Sequence, residues 1–227
     1  MLIFRQLIDP QSSTYTYLLA DAASREAVLV DPVFEQTRRD VALIKELGLT
    51  LRYVLDTHVH ADHVTAAWMM QQRLGCEIAL SGKSGAEGAD RLLAHGDRVR
   101  FGKRYLSVRE TPGHTAGQIS FKMGKLLFSG DNIYKDSCVG AIDAHHGSNI
   151  PDFIKSLKRI VKDDSEYLLP SHGPVFRRDS RVLQKAIDRL TQYQYMADFG
   201  TCAIAWPLLD EWEADVIAGR LPDLGKK

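Results

Sequence analysis

The chain alternates between two hydrophobic patterns, one typical of β-strands and one typical of helices. Short runs rich in β-branched, aromatic and leucine residues predict strands at residues 14–20, 27–30, 53–55, 76–80 and 167–169. Residues 98–129 are strand-like with short Gly-containing turns, most clearly at 106–110, 118–123 and 125–128. Apolar residues at helical spacing predict helices around residues 41–47, 64–74, 153–161 and 182–190. Residues 81–94 are rich in Gly, Ser and Ala and should form a loop or a frayed helix. The strand–helix–strand order predicts an α/β protein.

No internal repeat, low-complexity segment or linker interrupts the chain, so we predict a single domain over residues 1–227. Apolar residues make up 44% of the chain and the formal net charge is +0, which gives no indication of a nucleic-acid or membrane partner. No apolar run approaches the roughly 20 residues that span a bilayer, and the first residues lack a signal-peptide core. The three cysteines are scattered, which favours a reducing compartment, and we expect a cytoplasmic protein.

The most informative segment is the loop of residues 57–63, which reads THVHADH and follows the predicted strand at 53–55. Four of its side chains are of types that bind metal ions: His58, His60, Asp62 and His63. Imidazole nitrogens and carboxylate oxygens are common ligands of zinc and iron. Because His58 and His60 are separated by one residue, both point the same way in an extended segment. The loop therefore predicts a metal site rather than part of a hydrophobic core.

Three further residues of the same types stand just past predicted strands: His114, Asp131 and His172. Strand ends are where sites are assembled in α/β sheets, and neighbouring glycines let the backbone turn sharply there. The seven residues divide into two metal positions, one of His58, His60 and His114 and one of Asp62, His63 and His172. Asp131 can bridge two ions with its two carboxylate oxygens, at a metal–metal distance of roughly 3.5–4 Å.

The loop after Asp131 holds three residues with less specific chemistry, Cys138, His145 and His146. Each could contact a substrate or orient a metal ligand. The alternative is structural: the histidines would lie on a surface loop, and the cysteine would be a small buried hydrophobic residue. His95, which precedes a Gly-Asp pair, is typical of a solvated turn residue.

The HxHxDH loop, followed by His, Asp and His up to residue 172, resembles the metallo-β-lactamase superfamily. This resemblance implies an α/β fold, the αββα sandwich, with the metal site at one edge of the two sheets. Roughly the first 130 residues resemble the persulfide dioxygenase branch in particular, at residues 12–19, 24–33, 44–49, 57–65, 96–97, 101–102 and 111–115. The sister branch, glyoxalase II, is a di-metal thioesterase for glutathione thioesters.

In the persulfide dioxygenases two His and one Asp hold one iron, and the resemblance assigns these roles to His58, His114 and Asp131. Such a ligand set leaves three open positions on an octahedral iron, enough for a thiolate and O2. Our leading hypothesis is therefore a mononuclear non-haem iron persulfide dioxygenase with one Fe(II), which oxidises a low-molecular-weight persulfide to sulfite.

The chain departs from both branches after Asp131. Both branches carry a Gly-Cys-Gly-Arg segment there, whose Arg belongs to the substrate side of the pocket. Residues 136–141 of this chain read DSCVGA, which keeps Cys138 but has no Arg. Lys135 could partly substitute as a point charge, and whether the substrate contains glutathione stays open.

The complete set of seven residues also supports a second hypothesis, a dinuclear zinc hydrolase of a thioester, ester or lactone. Two Zn(II) ions would hold a bridging hydroxide, and Asp62 would position that nucleophile. A third hypothesis is a non-catalytic metal-binding module. Both catalytic hypotheses imply a small-molecule partner, namely a thiol, a persulfide or a thioester. Members of the superfamily often dimerise, so the resemblance leaves a homodimer open.

Overall fold

The structure is a computed structural model that describes residues 1–142 and 147–198, without the side chains of 196–198. Two compact units are distinguished, Met1–Ile187 and Asp188–Lys227. The first contains two β-sheets and their covering helices. Of the second, only the end of a long helix lies within the described residues. The single domain over residues 1–227 stays a prediction.

The first sheet contains six strands among the described residues: β1 (Leu2–Asp9), β2 (Thr14–Asp21), β3 (Glu26–Val30), β4 (Thr50–Leu55), β5 (Glu77–Ser81) and β6 (Arg91–Leu93), paired in that order. The first three strands are antiparallel. From β3 to β6 the strands are parallel. Parallel neighbours need crossover connections. Helices supply them between β3 and β4 and between β4 and β5, whereas residues 82–90 connect β5 to β6 without a helix.

The second sheet also contains six strands within the described ranges: β7 (Arg98–Phe101), β8 (Arg104–Glu110), β9 (Ile119–Met123), β10 (Leu126–Gly130), β11 (Tyr167–Pro170) and β12 (Phe176–Arg177). Their spatial order is β12-β11-β10-β9-β8-β7. Neighbours are antiparallel except β10 and β11, which are parallel and are connected through a helix.

A short 3-10 helix (Phe34–Gln36) and four α-helices complete the described part: α1 (Thr37–Glu46), α2 (Ala67–Leu74), α3 (Ile150–Lys162) and α4 (Ser180–Asp198). Helix α2 ends at Gly75, whose left-handed backbone (φ 69°) lets its N–H bond to Gln71. Helix α3 begins at Asn149, whose side chain accepts a hydrogen bond from the Asp152 N–H at 2.8 Å. These helix ends use side-chain and glycine signals that are local in the sequence.

Alternate residues of the first sheet face two hydrophobic cores. Leu19 and Val28 pack with Phe121 and other residues of the second sheet, so one core lies between the sheets. Leu18 and Leu29 face away and pack with residues of α1 and α2. On the second sheet, Ile160 of α3 and Leu127 of β10 line one cavity, so α3 lies on its outer face. The predicted αββα sandwich is confirmed.

Every strand predicted from the hydrophobic pattern is present within a few residues. Three short or exposed strands carry no such pattern and were missed: β1, β6 and β12. The prediction of only loop or frayed helix over 81–94 is wrong at Arg91–Leu93, because this edge strand is defined by its parallel pairing with β5. Helix α2 begins at Ala67 rather than near residue 64, because Thr65 pairs with Val33 in a β-bridge.

Candidate metal centre

The seven predicted metal-binding residues meet where strands of the two sheets end. The loop of residues 57–63 follows β4, His114 follows β8, Asp131 follows β10, and His172 follows β11. Gly130, just before Asp131, has a left-handed φ of 56°, and a Cβ there would lie 2.8 Å from the Thr57 hydroxyl oxygen. Glycine at this position therefore lets β10 end directly against the histidine loop.

One group of donors consists of His58, His114 and Asp131, all buried, with ligand atoms within 4.8 Å of one another. Nε2 of His58 and Nε2 of His114 each lie 3.8 Å from Oδ2 of Asp131. Two donors bound about 2.0–2.2 Å from one ion can be at most about 4.4 Å apart. Each histidine nitrogen is therefore close enough to Asp131 to share one ion with it.

A second group consists of His60, Asp62 and His63, again with ligand atoms within 4.8 Å of one another. His172 joins this group, because its Nε2 lies 3.5 Å from Oδ2 of Asp62. The same nitrogen is 3.6 Å from Oδ2 of Asp131, so Asp131 stands between the two groups. His60 lies at the boundary as well, with its ring 4.1 Å from that of His58.

Hydrogen bonds fix which nitrogen of His114 and of His172 is free. Nδ1 of His114 lies 2.6 Å from the carbonyl oxygen of Ala141, and Nδ1 of His172 lies 3.1 Å from that of Ser13. A carbonyl oxygen only accepts, so each Nδ1 carries the proton and donates it. The lone pair of each imidazole is then on Nε2, the nitrogen that faces Asp131.

A buried carboxylate, Asp31, orients the first two histidines of the loop. The Thr57 hydroxyl donates to Asp31 at 3.0 Å and therefore accepts from Nδ1 of His58 at 2.9 Å. Nε2 of His60 donates to Asp31 at 3.3 Å. In the neutral imidazoles, the remaining lone pairs are on Nε2 of His58 and Nδ1 of His60. Sequence reasoning did not place Asp31 in the site, although an acid at the end of a buried strand could have indicated this role.

Several buried polar atoms of the site have no hydrogen-bond partner among the described residues: Nε2 of His58, Nδ1 of His60, Nε2 of His63 and Oδ1 of Asp131. A buried polar atom without a partner costs about 1–3 kcal/mol. The first two, on His58 and His60, are the nitrogens whose lone pairs stay free when the other ring nitrogen donates its hydrogen bond. Unpartnered nitrogen and oxygen donors that converge in this way fit a bound metal ion.

The pKa values of the two neighbouring histidines are shifted in opposite directions. Burial and the surrounding imidazoles lower the pKa of His58 well below its usual value. A neutral imidazole is the form that binds metal, so His58 is ready as a ligand at neutral pH. Burial also lowers the pKa of His60, but the adjacent Asp31 carboxylate outweighs it and raises the value to about 9.

The family model described as the metallo-beta-lactamase superfamily matches residues 9–172. The chain belongs to this superfamily. It therefore carries the metal-binding site of the metallo-β-lactamase fold, with His and Asp donor groups. The metal itself and the number of ions are not decided by membership.

Among curated relatives of this superfamily member, the mitochondrial persulfide dioxygenase ETHE1 of Mus musculus is 46% identical over 148 residues, which cover 64% of this chain and 58% of the relative. The Homo sapiens protein is 45% identical over 149 residues, with the same coverage. A hydroxyacylglutathione hydrolase of Thermosynechococcus vestitus is 32% identical over 169 residues, covering 72% of this chain and 65% of the relative. The chain thus spans little more than half the length of the persulfide dioxygenase relatives.

Among solved structures, ETHE1 from Myxococcus xanthus matches with a TM-score of 0.73 and 37% identity, covering 83% of this chain and 91% of that chain. A metallo-β-lactamase from Staphylococcus aureus matches with a TM-score of 0.72 and 25% identity, covering 84% of this chain and 66% of that chain. Both matches agree with the two-sheet architecture described above.

Two residues that sequence reasoning missed contact the acids of this metallo-β-lactamase site. Burial and the nearby Asp131 carboxylate raise the pKa of the Tyr134 hydroxyl. The Tyr134 ring lies 6.0 Å from the His172 ring in an edge-on arrangement. The Thr14 hydroxyl donates to Asp62 at 2.8 Å. No local sequence pattern indicates either residue. Thr14 acts on a residue far away in the chain, and Tyr134 acts on Asp131 through a turn.

Of the four predicted substrate-side residues, two are exposed and two lie outside the described residues. Lys135 is exposed and lines a surface cavity of about 450 Å³ with Asp179 and Lys185, and none of the seven predicted ligands, all of them in the described part, lines it. Cys138 is exposed, so the expectation of a buried hydrophobic residue is wrong. His145 and His146 lie outside the described residues. The substrate-side roles stay predictions.

Within the described ranges, helices that could cross a membrane were not found. The persulfide dioxygenase relatives carry the word mitochondrial in their names. The cytoplasmic location, the absence of nucleic-acid and membrane partners, and the homodimer stay predictions.

Proposed function

We propose that this chain is a mononuclear non-haem iron persulfide dioxygenase, with one Fe(II) bound by His58, His114 and Asp131. The observation that carries the proposal is the buried group of two imidazoles and one carboxylate, whose free lone pairs converge within 4.8 Å. Two His and one carboxylate with open positions are typical of non-haem Fe(II) oxygenases. The similarity to proteins named persulfide dioxygenase supports the same activity.

In the proposed reaction RSSH, O2 and water give RSH, sulfite and two protons. The S–S bond breaks, the terminal sulfur gains oxygen, and the two sulfur atoms together lose the four electrons that O2 accepts. When bound, Fe(II) would supply adjacent positions for a thiolate and O2 and would favour the deprotonated persulfide.

The chain's own residues would prepare this site. The Thr57 hydroxyl and the Ala141 carbonyl fix the ring orientation of His58 and His114, respectively. The Tyr134 hydroxyl lies near the carboxylate of Asp131, and the raised pKa of this hydroxyl keeps it protonated beside the two donor groups. The three proposed ligands are buried, which excludes bulk water and keeps their geometry fixed.

The substrate would be a low-molecular-weight persulfide, and the organic part of that molecule is the open point. The segment of residues 136–141 has no Arg, and Lys135 is exposed on the surface. A lysine offers a point charge rather than a bidentate fork for a carboxylate. Persulfides of glutathione, cysteine and coenzyme A should therefore be compared.

The test is metal analysis and O2 uptake on protein purified without added metal. We expect one iron per chain and O2 consumption, with stoichiometric sulfite, on at least one of the three persulfides. The His114→Ala variant is the control, because it should lose both iron and O2 uptake. Iron-loaded protein that consumes no O2 with any of the persulfides would contradict the proposal.

A second function, a dinuclear zinc hydrolase of a thioester, ester or lactone, is favoured by one specific observation. Nδ1 of His60 and Nε2 of His63 are also buried without a partner among the described residues. With Asp62 and His172 nearby, a second ion would have donors there, and Asp131 faces both groups. The similarity to hydroxyacylglutathione hydrolases supports this alternative more weakly. Two zinc ions per chain together with thioester turnover would select it.

The proposal treats residues 1–227 as one cytoplasmic enzyme domain acting on a small molecule, either as a monomer or as a homodimer. The formal net charge of +0 supports the absence of a nucleic-acid partner. Limited proteolysis should leave residues 1–227 intact at the concentration that cleaves an unfolded control. Light scattering on the same sample gives the oligomeric state.

A further inference from the structure

A second cavity lies on the outer face of the second sheet, between β8 and α3. Its volume is about 550 Å³. Small-molecule sites commonly have volumes of about 300–1,000 Å³, so this cavity is of ligand size. Its lining includes none of the seven predicted metal ligands, all of which belong to the described part of the chain. The cavity is therefore a place for a separate ligand.

Three cationic side chains line the cavity: Arg109 from β8, and Arg159 and Lys162 from α3. Arg159 makes one long contact, from Nη1 to the carbonyl oxygen of Glu110 at 3.4 Å. Within the described part of the chain, no ion pair or side-chain hydrogen bond engages Arg109 or Lys162. Two elements thus bring cations with unused donors to one concave surface.

Two carboxylates also line the cavity, but cations outside the lining neutralise both of them. Nζ of Lys83 lies 2.7 Å from Glu110, and Nζ of Lys122 lies 2.8 Å from Asp163. The Lys83 hydrogen bond lowers the pKa of Glu110. Burial raises the pKa of Asp163, but hydrogen bonds from Lys122 and Ser165 outweigh it and lower the value. Because both acids are already paired, the cavity presents a net positive charge.

The inner wall of the cavity is apolar. Leu127 of β10 and Ile160 of α3 line it, and each is only 2% exposed. Arginine guanidinium groups bind phosphate oxygens in pairs, and lysine adds a point charge. Cations around an apolar wall suit a ligand that has a phosphate group on a flat or apolar body.

We propose that this cavity binds a small organic phosphate of the nucleoside monophosphate class, with the phosphate held by Arg109, Arg159 and Lys162 and the body against Leu127 and Ile160. The site is separate from the metal centre. It does not depend on the proposed dioxygenase activity, and either proposal can fail without the other.

The experiment is isothermal titration calorimetry on the full chain with its metal as purified. AMP supplies both parts of the ligand, inorganic phosphate supplies the anion alone, and adenosine supplies the body alone. We expect AMP to bind at least about tenfold more tightly than either part, and its affinity to fall as salt is raised. Equal affinities for AMP and inorganic phosphate, or no AMP binding at millimolar concentration, would overturn the proposal.

Charge removal in the cavity locates the binding. The R109Q/K162Q double variant should weaken AMP binding about tenfold or more, because it removes charge-assisted hydrogen bonds. K162Q alone changes an exposed residue at the end of α3, so it should fold normally and still weaken binding about threefold. The matched control is R38Q/K45Q, which removes two exposed cations of α1. The same AMP affinity in the cavity variants as in the control would place the phosphate elsewhere and overturn the proposal.

Discussion

The two halves of the candidate metal centre have the same kinds of donors but different surroundings. In the first half, the side chains of His58, Asp131 and His114 are 0%, 8% and 9% exposed. In the second half, the side chains of Asp62 and His172 are 31% and 25% exposed. The other two donors of the second half, His60 and His63, are each only 2% exposed. The first half is therefore shielded from water throughout, whereas the second half is open to water at Asp62 and His172.

The acids of the two halves differ as well. Oδ1 of Asp131 is buried without a partner among the described residues, whereas Oδ2 of Asp62 accepts from Thr14 at 2.8 Å and from His63 at 3.2 Å. Burial raises the pKa of Asp62, but hydrogen bonds from His63 and Thr14 lower it well below its usual value. The protein thus satisfies Asp62 by itself and leaves Asp131 for an external cation. This difference favours one tightly held ion in the first half.

The largest expected effect follows from removing a donor of the first half. His58→Ala should abolish retention of iron through gel filtration and reduce O2 uptake to background. That loss should exceed the roughly 10–100-fold that removal of an outer partner costs. His95→Ala is the control, because His95 is an exposed histidine outside the site. If His58→Ala retained as much iron as the control, the assignment of His58 as an iron ligand would be wrong.

Removal of a donor from the second half should cost less. His172→Ala leaves the first group complete, so we expect iron to stay bound and activity to fall about tenfold, within the range for an outer partner. Metal content measured beside activity separates the two effects. A loss of metal as complete as in His58→Ala would mean that the halves are equivalent and would favour the dinuclear hydrolase.

A matched pair of threonine variants tests whether the hydrogen bonds behind each half matter equally. Thr57→Val removes the hydroxyl between His58 and Asp31, and iron affinity should fall about tenfold. Thr14→Val removes the hydroxyl that donates to Asp62, and iron affinity should change less than about threefold. Competition with a chromophoric chelator gives both affinities. Equal losses of iron affinity in the two variants would contradict the proposed difference between the two halves.

The smallest effect is expected at Tyr134, which contacts both halves. Tyr134→Phe removes the hydroxyl near Asp131 but keeps the ring against His172. We expect a decrease in kcat of a few-fold, up to about tenfold, with iron content unchanged. A shift in the electron paramagnetic resonance spectrum of the nitric oxide adduct would report the changed Asp131 environment. An unchanged spectrum with an unchanged kcat would assign Tyr134 a packing role only.

Most strands and helices were predictable from local patterns, because their apolar residues recur at the period of the element. The edge strands were not predicted, because what defines them is pairing with a neighbouring strand. Arg91–Leu93 has only one strand beside it, and Phe176–Arg177 is two residues long. Strand β1 is mostly exposed or half-buried and shows no clean alternation. Such strands exist because a neighbour pairs with them, and a single sequence does not display the neighbour.

The metal centre likewise has features that the local sequence predicts and features that depend on distant residues. The donors themselves were predictable, since imidazoles and carboxylates placed after buried strands are a local feature of the sequence. The partners that select one nitrogen of each imidazole were not. His172 and Ser13 are 159 residues apart in the chain, and His114 and Ala141 are 27 apart.

The sequence by itself determined the kinds of donors, their order along the chain and the α/β pattern that carries them, because these depend on residue identity and on local periodicity. Only the tertiary structure decided which lone pairs are free, which acid is left without a partner and which half of the centre is dry. Hydrogen bonding and burial are properties of the packed chain, since they depend on residues brought together from distant segments.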